Sequence, residues 1–118
     1  MNYELLTGII IRMKLYITSD QLNELSDESY SKLSSFIFEE GVGMNELDPD
    51  LLDAGTMMDF LQRSPLVEGI HIYYLRSTEG GEWGMEMKVG EEVKKFKEKE
   101  YIDLLWEATK DLLEYTLN

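Results

Sequence analysis

The chain has 118 residues, with 24 Asp and Glu against 11 Lys and Arg, a formal net charge of −13 at pH 7, 43% hydrophobic residues and no cysteine. At this length about two thirds of the unfolded surface can be buried, enough for one core, so residues 1–118 are expected to form a single domain. The hydrophobic share excludes a disordered acidic tail, the missing thiols exclude disulfides and Cys-based metal sites, and the acidity argues against docking on nucleic acid or an anionic membrane.

In chain order, Leu5 to Ile11 is too short to span a bilayer and follows Glu4 instead of a basic stretch, which points to a cytoplasmic protein. Ile9, Ile10 and Ile11, then Met13, Leu15 and Ile17, alternate as a strand that would join a sheet; Met13 is an alternative translation start. Thr18 and Gln21 form a capping box that opens a short helix carrying Leu22 and Leu25. Ser26 restarts the helix, and Tyr30, Leu33 and Ile37 share one face before a left-handed stop at Gly41. Gly41 to Asn45 read as a loop. Asp48 and Pro49 supply an N-cap and first helical residue, and Thr56 with Asp59 suggests a further cap for a helix bearing Met57, Phe60 and Leu61 that ends before Pro65.

Beyond Pro65 the period changes to two. Ile70, Ile72 and Tyr74 alternate on one strand and Trp83, Met85, Met87 and Val89 on the next, joined by a Glu79-Gly80-Gly81 turn. A third strand follows Gly90, and the three-residue spacing of Val93 and Phe96 suggests a bulge. Ile102, Leu105, Trp106, Thr109, Leu112, Leu113 and Thr116 then mark a long amphipathic helix. The expected fold is α+β: an antiparallel sheet of three to four strands with helices packed on one face and the long helix last.

Two acidic constellations stand out. Glu100, Asp103, Glu107, Asp111 and Glu114 fall within about 80° of the last helix and run along roughly 21 Å of it. Like charges at this spacing cost a few tenths of a kcal/mol each, which a partner's basic groove would offset; the alternative is a solvated helix face. The second zone runs from Glu39 to Asp59, through Glu40, Glu46, Asp48, Asp50 and Asp53, with no Lys or Arg between Lys32 and Arg63. A continuous negative surface of this kind imitates a phosphate backbone.

Chemistry fares less well. Counted from Asp48, Asp50 and Asp59 take positions 3 and 12 of a calcium loop, but Leu52 stands at 5 and Asp53 replaces the turn glycine at 6, so no calcium hand is expected. His71 is alone, without a second histidine or a nucleophile beside it. Gly80-Gly81 and Gly41-Val42-Gly43 lack the continuation of a phosphate loop. Trp83, Met85 and Met87 read as an inward sheet face or an adaptable binding stripe. No catalytic residue, cofactor or metal is expected.

Two segments, Ile17-Thr18-Ser19-Asp20-Gln21-Leu22-Asn23-Glu24-Leu25-Ser26 and Asp103-Leu104-Leu105-Trp106-Glu107-Ala108-Thr109-Lys110, resemble those of small, uncharacterised acidic proteins from phages and prophages of Firmicutes. Met58-Asp59-Phe60-Leu61 and Glu82-Trp83 match more loosely. The chain departs from that pattern by residues 1–12 and by lacking a Trp-Lys-Pro segment after the second helix. The resemblance implies a phage context and brings no catalytic residues. With the acidity, it leads to the expectation of a non-enzymatic anti-defence inhibitor, an anti-CRISPR among the options, acting in the host cell. Such a protein would cover a basic nucleic-acid-binding surface of a host protein. The alternatives are a phage adaptor binding through an apolar sheet surface, with a homodimer left open, and an acid-based hydrolase.

Overall fold

The computed structural model describes residues 14–38, 47–78 and 80–115. Helix α1 (Ser19–Leu22) starts from the expected capping box: Gln21 N donates to Thr18 Oγ1 at 3.1 Å, and Thr18 N donates to Gln21 Oε1 at 2.9 Å. Helix α2 (Asp27–Phe38) begins where Ser26 Oγ accepts from Ser29 N at 3.2 Å. Leu33 of α2 is buried, and Tyr30 and Ile37 pack on the same core. A single 3₁₀ turn (Pro49–Leu51) follows, capped by Asp48, whose carboxylate accepts from Asp50 N at 3.1 Å.

Helix α3 (Ala54–Arg63) starts three residues earlier than the Thr56 cap suggested. Asp53 is the cap and accepts from Thr56 N at 2.8 Å. An ionised carboxylate is the stronger acceptor for the open N–H groups of a first turn, so Asp53 prevails over the hydroxyl. The helix ends at Ser64, which is held extended as the residue before Pro65.

Strands β1 (Val67–Ser77), β2 (Gly80–Val89) and β3 (Glu92–Glu98) form one antiparallel sheet in the order β1-β2-β3. The register pairs Ile72 with Met85 and Tyr74 with Trp83 on one side, and Met85 with Phe96 on the other. No bulge interrupts β3. Val93 simply faces solvent while Phe96 faces inward, and the irregularity lies instead between Val67 and Gly69 of β1. The glycines do not form the turn alone: Gly80 already pairs with Ser77 and holds a φ of 123°, a value that suits only glycine.

The fold is thus α+β, with the sheet covered on one face by helix α4 (Tyr101–Tyr115), which lies on β2 and β3 and is flanked by α2 and α3. Ile102, Leu105, Trp106, Thr109, Leu112 and Leu113 are buried as their periodicity requires, and Leu104 and Ala108 are buried as well. Burial therefore spans about 200° of the helix, wider than a simple amphipathic stripe. Met57 and Leu61 from α3 and Met85, Met87 and Val89 from β2 complete the core. The expected N-terminal strand does not join the sheet within Lys14–Ile17: Tyr16 makes only an isolated bridge with Asp53. Ile9–Met13, the Gly41 stop and Thr116 lie outside the described residues.

Candidate functional site

The carboxylate row on α4 does not stand free. Asp103 Oδ1 lies 2.6 Å from Lys14 Nζ and accepts from Gln21 Nε2 at 2.8 Å, while Lys14 Nζ also donates to Gln21 Oε1 at 2.8 Å. Glu107 pairs with Lys110 at 3.1 Å, and Asp111 pairs with Lys94 at 2.8 Å. Only Glu100 and Glu114 make no ion pair among the described residues. Three of the five charges are neutralised at contact distance, so the row is a set of tertiary ties and not an open negative ruler.

These ties have an evident architectural cause. Trp106 is fully buried, its indole N–H donates to Glu24 Oε1 at 3.0 Å, and Lys110 Nζ reaches the same oxygen at 3.3 Å. Gln21 and Glu24 on one segment thus meet Asp103, Trp106 and Lys110 on the other. These two stretches, distant in sequence, are the two halves of one polar clamp. The indole hydrogen bond, with Lys110 beside it, holds Glu24 below its ordinary carboxylate pKa. Burial opposes the charge of Lys110, but Glu107 and Glu24 outweigh it and hold that ammonium above its ordinary value. Asp111 does the same for Lys94. Glu98, at the end of β3, moves the other way: burial and then the nearby Glu107 and Asp103 raise it.

The second acidic zone is more open. Asp48 and Asp53 serve as caps but remain exposed, as does Asp50; Glu39, Glu40 and Glu46 lie outside the described residues. The bridge from Tyr16 to Asp53 brings this zone against the segment before α1. Between them lies a cleft of about 510 Å3, bounded by Lys14 to Ser19 on one side and by Asp48, Pro49 and Asp50 on the other. Two large apolar side chains of this cleft face solvent, Leu15 at 63% exposure and Tyr16 at 45%; Leu51, 39% exposed, lines a separate cleft with Phe36, Gly55 and Asp59. Acidic and apolar groups side by side offer both charge attraction and burial to a basic partner. Local periodicity does not reveal this exposure, because Leu15 reads as one position of a strand face, whereas Tyr16 beside it makes only an isolated bridge.

The methionine stripe resolves as core. Met85 and Met87 are fully buried, and Trp83 lies between Tyr74 and Tyr101, each ring centre 4.9 Å away with the planes tilted by 54° and 46°. His71 lies exposed on the opposite sheet face, its ring 5.7 Å from that of Tyr73. A smaller cleft of about 280 Å3 separates α2, α3 and α4, with Phe36, Phe60, Leu112 and Leu113 on its walls and Lys32 and Arg63 at its edge. Arg63 there pairs with Asp59 at 3.0 Å and lies over the Phe36 ring. Among the described residues no group of His, Asp and Glu is placed to hold a metal ion, and no helix is long and apolar enough to cross a membrane. Comparison with protein-family models, curated proteins and solved structures finds no match.

Proposed function

We propose that this chain works by binding, as an acidic inhibitor that covers the basic nucleic-acid-binding surface of a host protein, in the anti-defence setting suggested by its phage-like segments. The observation that carries the reading is the polarity of charge. Residues 14–63 hold eleven Asp and Glu against three Lys and Arg, whereas residues 64–99 hold seven against six. The contact surface is centred on the cleft with Asp48, Asp50, Leu15 and Tyr16 and on Asp53 beside it, with Glu100 and Glu114 as outlying charges. Asp103, Glu107 and Asp111 act in the fold instead.

The test is capture of the partner from a host lysate with the native chain and with the triple variant Asp48→Asn, Asp50→Asn, Asp53→Asn. Asparagine caps helices nearly as well as aspartate, so the variant removes three charges while keeping both caps. Binding should fall about tenfold or more in the variant and weaken steeply from low to high salt. Capture unaffected by either change sinks the inhibitor reading. It would favour the adaptor reading, which finds support in the exposed Leu75 and Val93 of the uncovered sheet face.

A further inference from the structure

The two edges of the sheet are built in opposite ways. On β3, five of seven residues are charged (Glu92, Lys94, Lys95, Lys97, Glu98), the composition that keeps an edge from pairing with another chain. On β1, no Asp, Glu, Lys, Arg or Pro occurs from Gly69 to Leu75, in an eleven-residue strand with no partner on its outer side among the described residues. A long uncharged edge is a template for strand addition.

We propose that β1 pairs with β1 of a second copy, antiparallel about a twofold axis at Ile72, giving one continuous sheet across the dimer. Three features of β1 agree on this register. The strand's two formal charges, Glu68 and Arg76, sit equally far in sequence on either side of Ile72, so each end of the pair brings Glu68 of one copy, which stands at the irregularity of β1 and already meets Lys88 at 3.2 Å, near Arg76 of the other. Parallel pairing would set like charges together. Second, Ile70 falls opposite Tyr74, an aromatic against a β-branched side chain on the same face.

The third feature is a glycine. Within the sheet, a Cβ at Gly84 would run into the Tyr73 ring and one at Gly81 into that of Tyr74, so aromatic side chains lie over both. Gly69 has nothing within 4 Å of the same position. In the proposed register Leu75 of the second copy, 46% exposed in the single chain, comes to lie over it. Moving the axis to Tyr73 would leave Gly69 facing Ser77 and Arg76 facing Ile70, which discards both matches. The sheet half is also where two copies of so acidic a chain can approach, since its charges nearly balance.

A strand pair with its flanking side chains buries less than a standard interface, so association in the micromolar range is expected. In sedimentation equilibrium the native chain should move from 13.7 kDa toward twice that mass as its concentration rises. Arg76→Glu should weaken the dimer about tenfold, because symmetry repeats the repulsion at both ends. Lys97→Glu makes the same change in net charge on the far edge and should leave it within about twofold. The chain has no cysteine of its own, so Ile72→Cys reports cleanly: directly opposed residues bring Cα atoms within about 5.5 Å, and mild oxidation should yield a covalent dimer. Val93→Cys on β3 should not. A chain that stays monomeric throughout, Lys97→Glu as damaging as Arg76→Glu, or Val93→Cys linking as readily as Ile72→Cys would each overturn the proposal.

Discussion

Glu24 shows how much one side chain can decide. It accepts from the indole N–H of the buried Trp106 and also meets Lys110. Removing the acceptor and removing the charge are different injuries. Glu24→Ala leaves the indole N–H without its partner and should cost about 1–3 kcal/mol. Glu24→Gln keeps an acceptor and should cost well under half of that; urea denaturation midpoints compare the two. The pH dependence follows from the lowered pKa: the unfolded chain protonates Glu24 first as pH falls. The stability it contributes is therefore complete above the ordinary value of 4.5 and is lost as pH falls through its folded value. In Glu24→Gln that share of the acid sensitivity should be missing, and an unchanged slope of stability against pH below 4.5 would show the pair to be inconsequential.

At the scale of elements, the local signals proved sufficient where a single rule governs. The Thr18 capping box, the Asp48-Pro49 start, the alternation of β1 and β2 and the period of α4 each rest on neighbours in sequence, and each appears where those neighbours require it. The reading failed where two rules competed. Thr56 and Asp53 both qualify as caps, and the spacing of Val93 and Phe96 fits either a bulge or one outward residue. The pairing of the α4 acids is only partly legible for a further reason: Lys110 stands three residues after Glu107 on the same helix, but Lys14 and Lys94, the partners of Asp103 and Asp111, come from distant segments that no helical periodicity reveals. Asp53 offers a test of the correction. Asp53→Ala should lower stability by about 1 kcal/mol through loss of the α3 cap, whereas Asp53→Asn should be close to neutral. Equal thermal midpoints for the two variants would mean that the cap contributes nothing.

For the whole molecule, the governing fact is that charge and fold divide along the same line. Eleven acids crowd residues 14–63 against three bases, while the sheet half is nearly balanced. At roughly 0.01 M ionic strength the screening length is about 30 Å, so the acids of the described residues repel one another well beyond their nearest neighbours; near 0.15 M it is about 8 Å and only close neighbours interact. Added sodium chloride should therefore stabilise the native chain, since repulsion acts over longer distances than the ion pairs that salt also weakens. Several of those pairs, such as Lys88–Glu68 and Lys95–Glu86, are more than 40% exposed on both sides and contribute little to begin with. The thermal midpoint is expected to rise by a few degrees, about 2–6 °C, over that range of salt. In the triple asparagine variant of Asp48, Asp50 and Asp53 the rise should be smaller, because part of the repulsion is already gone. A midpoint that falls with salt would mean that the short ties on α4 outweigh the long-range field. It would remove the physical basis for reading the helical half as a surface under electrostatic strain that a basic partner relieves.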